Sequence, residues 1–286
     1  MKTKNKKKWL YVLIGIALLI FFCHFQNNSI VISEYTIGSD KIPESFDKYK
    51  IVQLSDLHSK SFGNDQSKLV KKVSKIEPDS IVFTGDLIDS DRYDEKSSLV
   101  LMERLVQIAP VYYVTGNHEW WSGNFDTLQD KLTGIGVQVM RNTTEEITIG
   151  TDQIIMIGID DPAYLGESYE ERDKTEENIK HSIGENEGED NFQILLSHRP
   201  ELFSLYDEYG FDLVFSGHAH GGQFRIPYLG GLIAPNQGFF PKYTSGMHKS
   251  DRTTMIVNRG LGNSIIPIRV FNRPEIVVVT LSSVGK

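Results

Sequence analysis

The chain has 286 residues, of which 40% are hydrophobic and 24% charged, proportions of a folded globular protein rather than a disordered one. Its formal net charge is −8, but five lysines lie within the first eight residues, so the remainder carries about −13. Such an acidic body argues against stable nucleic-acid binding, which depends on Lys and Arg neutralising phosphates. The single cysteine, Cys23, excludes a disulfide framework and a thiolate metal site.

The first predicted element is an apolar run of 17 residues, from Trp9 to Phe25, that directly follows the lysines. It is just long enough to cross a bilayer. A cleaved signal peptide and a buried core helix are the alternatives, but the following QNNSIV lacks a small-residue cleavage site. We therefore predict a cytoplasmic basic segment and transmembrane anchor over residues 1–29, and a folded body over residues 30–286. Because flanking lysines stay in the cytoplasm, we expect a single-pass protein of the cell membrane with an extracytoplasmic body.

From residue 50 onward, short apolar runs alternate with segments of helical periodicity. Five runs have the composition and flanks of strands buried on both faces: KIVQLS (50–55), DSIVFT (79–84), PVYYVT (110–115), NFQILLS (191–197) and DLVFS (212–216). Apolar spacing predicts helices around residues 69–76, 101–106 and 125–132, the last ended by Gly134. The alternation predicts an α/β protein. TTMIVNRG (253–260) and PEIVVVTLSS (274–283) add strands without helices, which indicates a mixed sheet or a second sheet.

One stretch stands apart by its composition. Residues 166–190 contain ten acids against three Lys or Arg. Such a charge bias is typical of a solvated segment. We expect an exposed insertion or mobile lid here rather than a core element.

Metal-capable side chains follow each of the five predicted strands. The segments are DLH (56–58), GDLID (85–89), GNHE (116–119), the histidine at 198 and GHAH (217–220), and they hold five of the eight histidines. Residues two apart on a strand point to the same face, so Asp56 with His58, and His218 with His220, are expected to reach a common point. Glycines beside the last pair allow backbone to approach a charged centre closely. Singly, each motif also fits an ordinary turn. Because ligands bind beyond the carboxyl ends of α/β strands, the five together predict one metal site.

The ordered set DxH, GDxxD, GNHE, a histidine after a strand and GHxH resembles the calcineurin-like metallophosphoesterase superfamily, over roughly residues 48–283. SHRPE (197–201), GHAHGGQFRIP (217–227) and RGLGNSIIPIRVFNRPEI (259–276) are similar to the YkuE and YaeI branch of membrane-associated phosphodiesterases. The resemblance implies a four-layer α/β/β/α sandwich with two divalent ions where the strand ends converge.

Carried over by position, the resemblance implies a set of ligands for each ion. The first ion would be held by Asp56, His58, Asp86 and His220. The second would be held by Asp86, Asn117, His198 and His218, so that Asp86 bridges the pair. Carboxylate, imidazole and amide ligands without sulfur suit Mn, Fe or Zn. Two such ions would activate a bridging hydroxide for attack on phosphorus.

By the same resemblance, His118 does not bind metal but donates a proton to the leaving alkoxide or stabilises its charge. Asp89 is expected to orient that ring, and a helix-capping role is the alternative. Adjacent residues cannot share one face, so we expect at most one of Trp120 and Trp121 at the cleft, and core packing is the default for either.

Four further residues are less determined. Arg199 and Arg225 are candidate phosphate clamps or surface ion-pair residues. Asp160 and Asp161 follow a strand-like run, but the family motifs give them no role.

The sequence therefore predicts a metal-dependent phosphodiesterase or phosphatase that faces outside the cytoplasm and acts on an envelope lipid, a cell-wall polymer or an external nucleotide. Two alternatives stay open: a non-catalytic binding module on the same fold, and a cytoplasm-facing hydrolase of UDP-sugar lipid pyrophosphates. The complete ligand set with His118 argues against the first. The orientation of the anchor argues against the second.

Overall fold

The computed structural model describes residues 2–165, 170–184, 191–235, 237–263 and 267–285 of the chain. Its helices are α1 (Lys2–Asn28), α2 (Ser67–Ser74), α3 (Glu95–Leu105), α4 (Asn117–Trp121), α5 (Phe125–Ile135), α6 (Glu171–Ile183) and α7 (Phe203–Tyr209). Its strands up to residue 158 are β1 (Val31–Ser39), β2 (Lys50–Leu54), β3 (Ser80–Thr84), β4 (Val111–Val114), β5 (Gln138–Val139), β6 (Thr143–Ile149) and β7 (Asp152–Gly158). Those that follow are β8 (Gln193–Leu196), β9 (Leu213–Ser216), β10 (Arg225–Ile226), β11 (Gly230–Gly231), β12 (Ile233–Ala234), β13 (Gly238–Phe239), β14 (Gly246–Lys249), β15 (Thr254–Val257) and β16 (Glu275–Ser283).

Two six-stranded sheets form the frame of the body. The first has the order β1-β16-β2-β3-β4-β5 and is parallel from β2 to β5. The second has the order β14-β15-β9-β8-β7-β6 and is parallel from β15 to β7. Parallel neighbours need a crossover connection, and the helical segments between the strands supply most of them. Strands covered on both faces read as continuous apolar runs, and all five residues of β3 are buried.

Three apolar cores separate four layers. The first lies between the first sheet and α2, α3 and α5, and it includes Leu69, Phe83 and Leu101. The second fills the space between the sheets and includes Val82 and Phe215. The third lies between the second sheet and α6 and α7. The predicted α/β/β/α sandwich is therefore confirmed.

The predicted strands correspond to β2, β3, β4, β8 and β9, each within two residues of the expected bounds. The two tail segments become β15 of the second sheet and β16 of the first. The predicted end of α5 is wrong, since the helix passes through Gly134 to Ile135. It ends at Gly136, whose φ of 102° is a left-handed conformation that glycine adopts without strain.

The expectation for the acidic stretch needs correction. Residues 171–183 form α6, which buries Thr175, Ile179 and Ser182. Ile179 belongs to the third core, so this segment is a structural layer of the sandwich rather than a lid. The many charged residues of α6 make its narrow apolar face difficult to recognise from the sequence. Residues 166–169 and 185–190 of the stretch lie outside the described residues.

The predicted anchor is the long helix α1. Its segment Lys7–Asn28 has 22 residues and a mean hydropathy of 2.0, and only 6% of its most apolar window is buried in the protein. An apolar helix that packs against so little protein is suited to a membrane.

Candidate metal centre

All seven predicted metal-binding residues lie in the segments that follow β2, β3, β4, β8 and β9. Each is at most 5% exposed, and they are Asp56, His58, Asp86, Asn117, His198, His218 and His220. The carboxyl ends of strands from both sheets therefore meet at one buried polar group. The convergence expected from the strand ends is present.

Left-handed backbone, rather than strand alternation, makes these residues converge. Positive φ values occur at five of the seven: Asp56 (51°), His58 (48°), Asp86 (54°), His218 (63°) and His220 (46°). The expectation that pairs two apart share a strand face was wrong, because β2 and β9 end before the pairs begin. Such backbone costs about 1–3 kcal/mol per non-glycine residue and concentrates at functional sites. The predicted close approach is real at Gly217, where a Cβ would collide with the Ser55 hydroxyl and with the Asp56 carboxylate.

Two clusters of ligand atoms share the Asp86 carboxylate. The first contains Asp56, His58, Asp86 and His220. In it, His58 Nε2 lies 2.9 Å from His220 Nε2 and 3.5 Å from Asp86 Oδ2. His220 Nε2 lies 3.3 Å from Asp56 Oδ1. Four ligand atoms from three separate segments thus surround one point.

The second cluster contains Asp86, His198 and His218. His198 Nε2 lies 3.2 Å from Asp86 Oδ2 and 3.2 Å from His218 Nδ1. His198 Nδ1 donates a hydrogen bond to the Thr84 carbonyl at 2.6 Å, which fixes the ring with Nε2 toward the cluster. The side chain shared by both clusters is therefore the one predicted to bridge.

The residues present fit divalent cations. The Nε2 atoms of His58 and His220 lie 2.9 Å apart. Two ring nitrogens at this distance repel each other unless a proton or a cation lies between them. Asn117 Oδ1 is buried and accepts no hydrogen bond from the residues that the structure describes. A buried, unpartnered amide oxygen is costly and calls for a partner. The nitrogen and oxygen donor set suits Mn, Fe or Zn.

Burial and mutual contact set the charges of the cluster. Burial lowers the pKa values of His218 and His220, which keeps both rings neutral, and it raises the pKa of Asp56. Burial also acts to raise the pKa of Asp86, but His198 and His118 hold it well below its usual range. Burial lowers the pKa of His198, yet the Asp86 carboxylate outweighs it and raises that pKa to about 10. The charges of Asp86 and His198 are therefore set largely by each other.

Glu119 joins the two loops that carry Asp86 and Asn117. Its Oε2 accepts hydrogen bonds from the backbone N–H groups of Asp86 at 2.8 Å and Gly116 at 2.7 Å. Its Oε1 accepts from Leu87 at 2.9 Å and Ile88 at 3.2 Å. The sequence showed Glu119 only as the last letter of GNHE and gave it no role. Because four backbone N–H groups donate to this one buried carboxylate, Glu119 braces the two loops, that is, it holds them together.

The His118 ring lies beside the clusters, and Ser90 contacts its Nδ1. Its Nδ1 accepts hydrogen bonds from Ser90, at 3.1 Å from the backbone nitrogen and 3.0 Å from the hydroxyl. The Asp89 carboxylate instead contacts Arg92 at 2.7 Å and lies 3.6 Å from His58 Nδ1. The hydrogen bonds to Nδ1 thus come from Ser90. Ligand atoms of Asp89, His58 and His118 lie within 4.8 Å of one another, and the orienting role expected of Asp89 stays a prediction.

His118 lines an open cleft of about 400 Å³, together with Asp86, Asn117, His218 and His220. Trp121, 58% exposed, forms part of its wall, with its ring centre 5.3 Å from that of His118. Trp120 packs instead against Phe125 and Tyr164. One tryptophan lies at the cleft and the other inside, as expected.

The two candidate phosphate clamps are engaged elsewhere. Arg199 is 3% exposed and pairs with Asp161 at 2.7 Å, so it is a buried structural ion pair. Arg225 donates to the Gly221 carbonyl at 3.0 Å and so braces the glycine-rich loop. Asp160, which we had left without a role, pairs with Arg141 at 2.7 Å. These charges hold loops in place.

Comparison with known proteins gives the same assignment. The family model for calcineurin-like phosphoesterases matches residues 49–222. The uncharacterized metallophosphoesterase YkuE of Bacillus subtilis (strain 168) is 32% identical over 264 residues, which cover 91% of this chain and 88% of that protein. A transmembrane protein with metallophosphoesterase domain from Danio rerio is 29% identical over 254 residues, 86% of this chain and 56% of that protein.

Among solved structures, the protein TT1561 of Thermus thermophilus superposes with a TM-score of 0.52 at 14% identity, covering 74% of this chain and 90% of that chain. At this identity the likeness concerns the fold alone. The match of the family model, the similarity to YkuE and the buried Asp/His cluster together show that the chain belongs to the calcineurin-like phosphoesterase family of metal-dependent phosphoester hydrolases.

Proposed function

We propose that the chain is a phosphodiesterase or phosphatase that works with two divalent ions. The observation that carries the proposal is the Asp86 carboxylate shared by two buried ligand clusters. Asp56, His58 and His220 would complete one site with Asp86. Asn117, His198 and His218 would complete the other. When bound, a pair of Mn, Fe or Zn ions supplies an acidified water and neutralises charge on the phosphoryl oxygens.

The protein's own contribution centres on His118. The backbone N–H of Ser90 donates to Nδ1, so the neutral ring carries its proton on Nε2. Burial lowers the pKa of His118, which favours this neutral form. A neutral ring that lines the cleft can donate a hydrogen bond from its Nε2–H group to the departing alkoxide and so stabilise the charge on that oxygen. Positioned groups of this kind contribute about 100- to 10,000-fold to rate.

We place the catalytic body outside the cytoplasm, on a single-pass anchor. The lysines that precede the apolar part of α1 support this orientation, and the match to a transmembrane relative supports the anchor. An envelope phospholipid, a cell-wall phosphopolymer and an external nucleotide are the substrate classes that an outward cleft would meet. Protease treatment of intact cells tests the orientation, because cleavage of the body would require it to be outside and full protection would contradict the proposal.

Hydrolysis of bis(p-nitrophenyl) phosphate and p-nitrophenyl phosphate by the full-length chain in neutral detergent tests the activity. We expect turnover after loading with Mn or Zn, and a loss of about 100- to 10,000-fold in His118→Ala with metal content unchanged. His181→Ala, an exposed histidine on α6, is the matched control and should retain the wild-type rate. Failure of the metal-loaded wild type to cleave either ester would favour a binding module. A wild-type rate in His118→Ala would remove that ring from the reaction.

A further inference from the structure

A second, separate trough of about 960 Å³ opens where α1 meets the body. It is lined on one side by Ile32 and Glu34 of β1 and by Val278 and Thr280 of β16, at the edge of the first sheet. One wall is α2, and none of the lining residues belongs to the catalytic cleft.

The trough is strongly basic although the chain as a whole is acidic. Six cations line it, against the single acid Glu34: Lys50, Lys68, Lys71, Lys72, Lys75 and Arg273. The four lysines on α2 and at its C-terminal cap recur at positions i, i+3, i+4 and i+7, which places them on one helix face. None of the six forms an ion pair with a carboxylate in the part of the chain that the structure describes. Lys50 donates to the Ile76 carbonyl and Arg273 to Ser29, so the four lysines of the α2 face supply most of the charge that is available to an anion.

Contacts at the end of α1 hold this trough close to the anchor. Arg273 donates to the Ser29 carbonyl at 2.8 Å and lies over the Phe25 ring at 4.9 Å. Lys60 donates to the Asn27 carbonyl at 2.5 Å. The joint is thus a set of directional contacts rather than a free linker, and it restricts how the body tilts relative to α1.

The length of α1 places the trough at the membrane surface. The 22 residues of Lys7–Asn28 rise about 33 Å as a helix, close to the hydrocarbon thickness of about 30 Å. Asn28 and Ser29 therefore reach the headgroup region, and both line the trough. Six cations then lie at the level of the lipid phosphates.

We propose that this trough binds the phosphate headgroup of an anionic phospholipid from the bilayer that holds α1. The position of the trough beside the anchor favours a lipid over a free anion, and Ile32, which is 36% exposed, offers apolar contact to the glycerol and acyl carbons of a lipid. Each Lys or Arg near an anionic membrane surface strengthens binding about fivefold. The bound lipid would fix the body against the membrane independently of hydrolysis.

Lipid titration of the full-length chain in neutral detergent, followed by native mass spectrometry, tests the proposal. Dioleoylphosphatidylglycerol should bind in preference to dioleoylphosphatidylcholine. The double variant Lys71→Gln/Lys75→Gln should weaken the phosphatidylglycerol complex about 25-fold. The control Lys96→Gln/Lys249→Gln removes two exposed lysines elsewhere, with the same change in net charge, and should stay within about twofold of wild type.

An equal melting temperature in both double variants shows that the fold is intact, as expected for exposed side chains. Inorganic phosphate is added as a competitor. The proposal predicts that phosphate at the lipid concentration displaces little phosphatidylglycerol. Equal binding of the two lipids, equal weakening in both double variants, or displacement by phosphate at equal concentration would each overturn it.

Discussion

The substitution Glu119→Gln tests whether the buried carboxylate braces the metal-binding loops. An amide has one oxygen, and its nitrogen accepts no hydrogen bond. Each oxygen of Glu119 accepts two backbone N–H groups, so either orientation of glutamine leaves two buried donors unsatisfied. Each such donor costs about 1–3 kcal/mol. We therefore expect the free energy of unfolding to fall by about 2–6 kcal/mol.

Urea denaturation of the full-length chain in neutral detergent, with a chelator present, measures this loss without any contribution from bound metal. The midpoint should shift while the slope stays constant, since the surface exposed on unfolding is unchanged. Glu103→Gln on α3 is the matched control, because that side chain is exposed, and it should change stability by less than about 0.5 kcal/mol. A loss of unfolding free energy in Glu119→Gln no larger than that of the control would refute the claim that Glu119 holds the loops together.

Two other substitutions test the site more locally. Ser90→Ala removes one of two hydrogen bonds to His118 Nδ1, so we expect kcat to fall about 2- to 10-fold with metal content and KM unchanged; an unchanged kcat would show that the hydroxyl does not orient the ring. Gly217→Ala brings a methyl group into the Asp56 carboxylate and should destabilise the chain by about 1–3 kcal/mol and weaken Mn binding by calorimetry. Gly134→Ala is the control, because a Cβ at that position meets nothing within 4 Å. Equal Mn affinity in the two alanine variants would show that the methyl group at residue 217 does not disturb the metal-binding residues.

The strand positions were predictable because each central strand is buried on both faces and therefore reads as a short apolar run with turn formers beside it. The five predicted strands of this kind lie where expected. The grouping of Asp56, Asp86 and His218 followed from strand topology together with family motifs. What the sequence could not supply is the left-handed backbone that aims these side chains, since none of them is glycine.

The other features that the sequence did not predict have a common physical cause. They depend on tertiary contacts that the local sequence does not specify. The helix α6 carries so many charges that its narrow buried face, centred on Ile179, gives little periodicity. Ser90 follows Asp89 in one polar turn, and the sequence does not show that its backbone N–H and hydroxyl group contact His118. Asp161 lies in the loop after β7, and Arg199 lies in the loop after the neighbouring strand β8. No spacing along the chain reveals their ion pair.

The central claim is that two divalent ions are held through the shared Asp86 carboxylate. Its most direct test is the metal content of folded full-length chain after loading with Mn, measured by elemental analysis. We predict two ions per wild-type chain, and fewer than one in Asp86→Ala, because both clusters lose a ligand in that variant. A folded wild-type chain that holds less than one ion, or an Asp86→Ala chain that still holds two, would contradict the account.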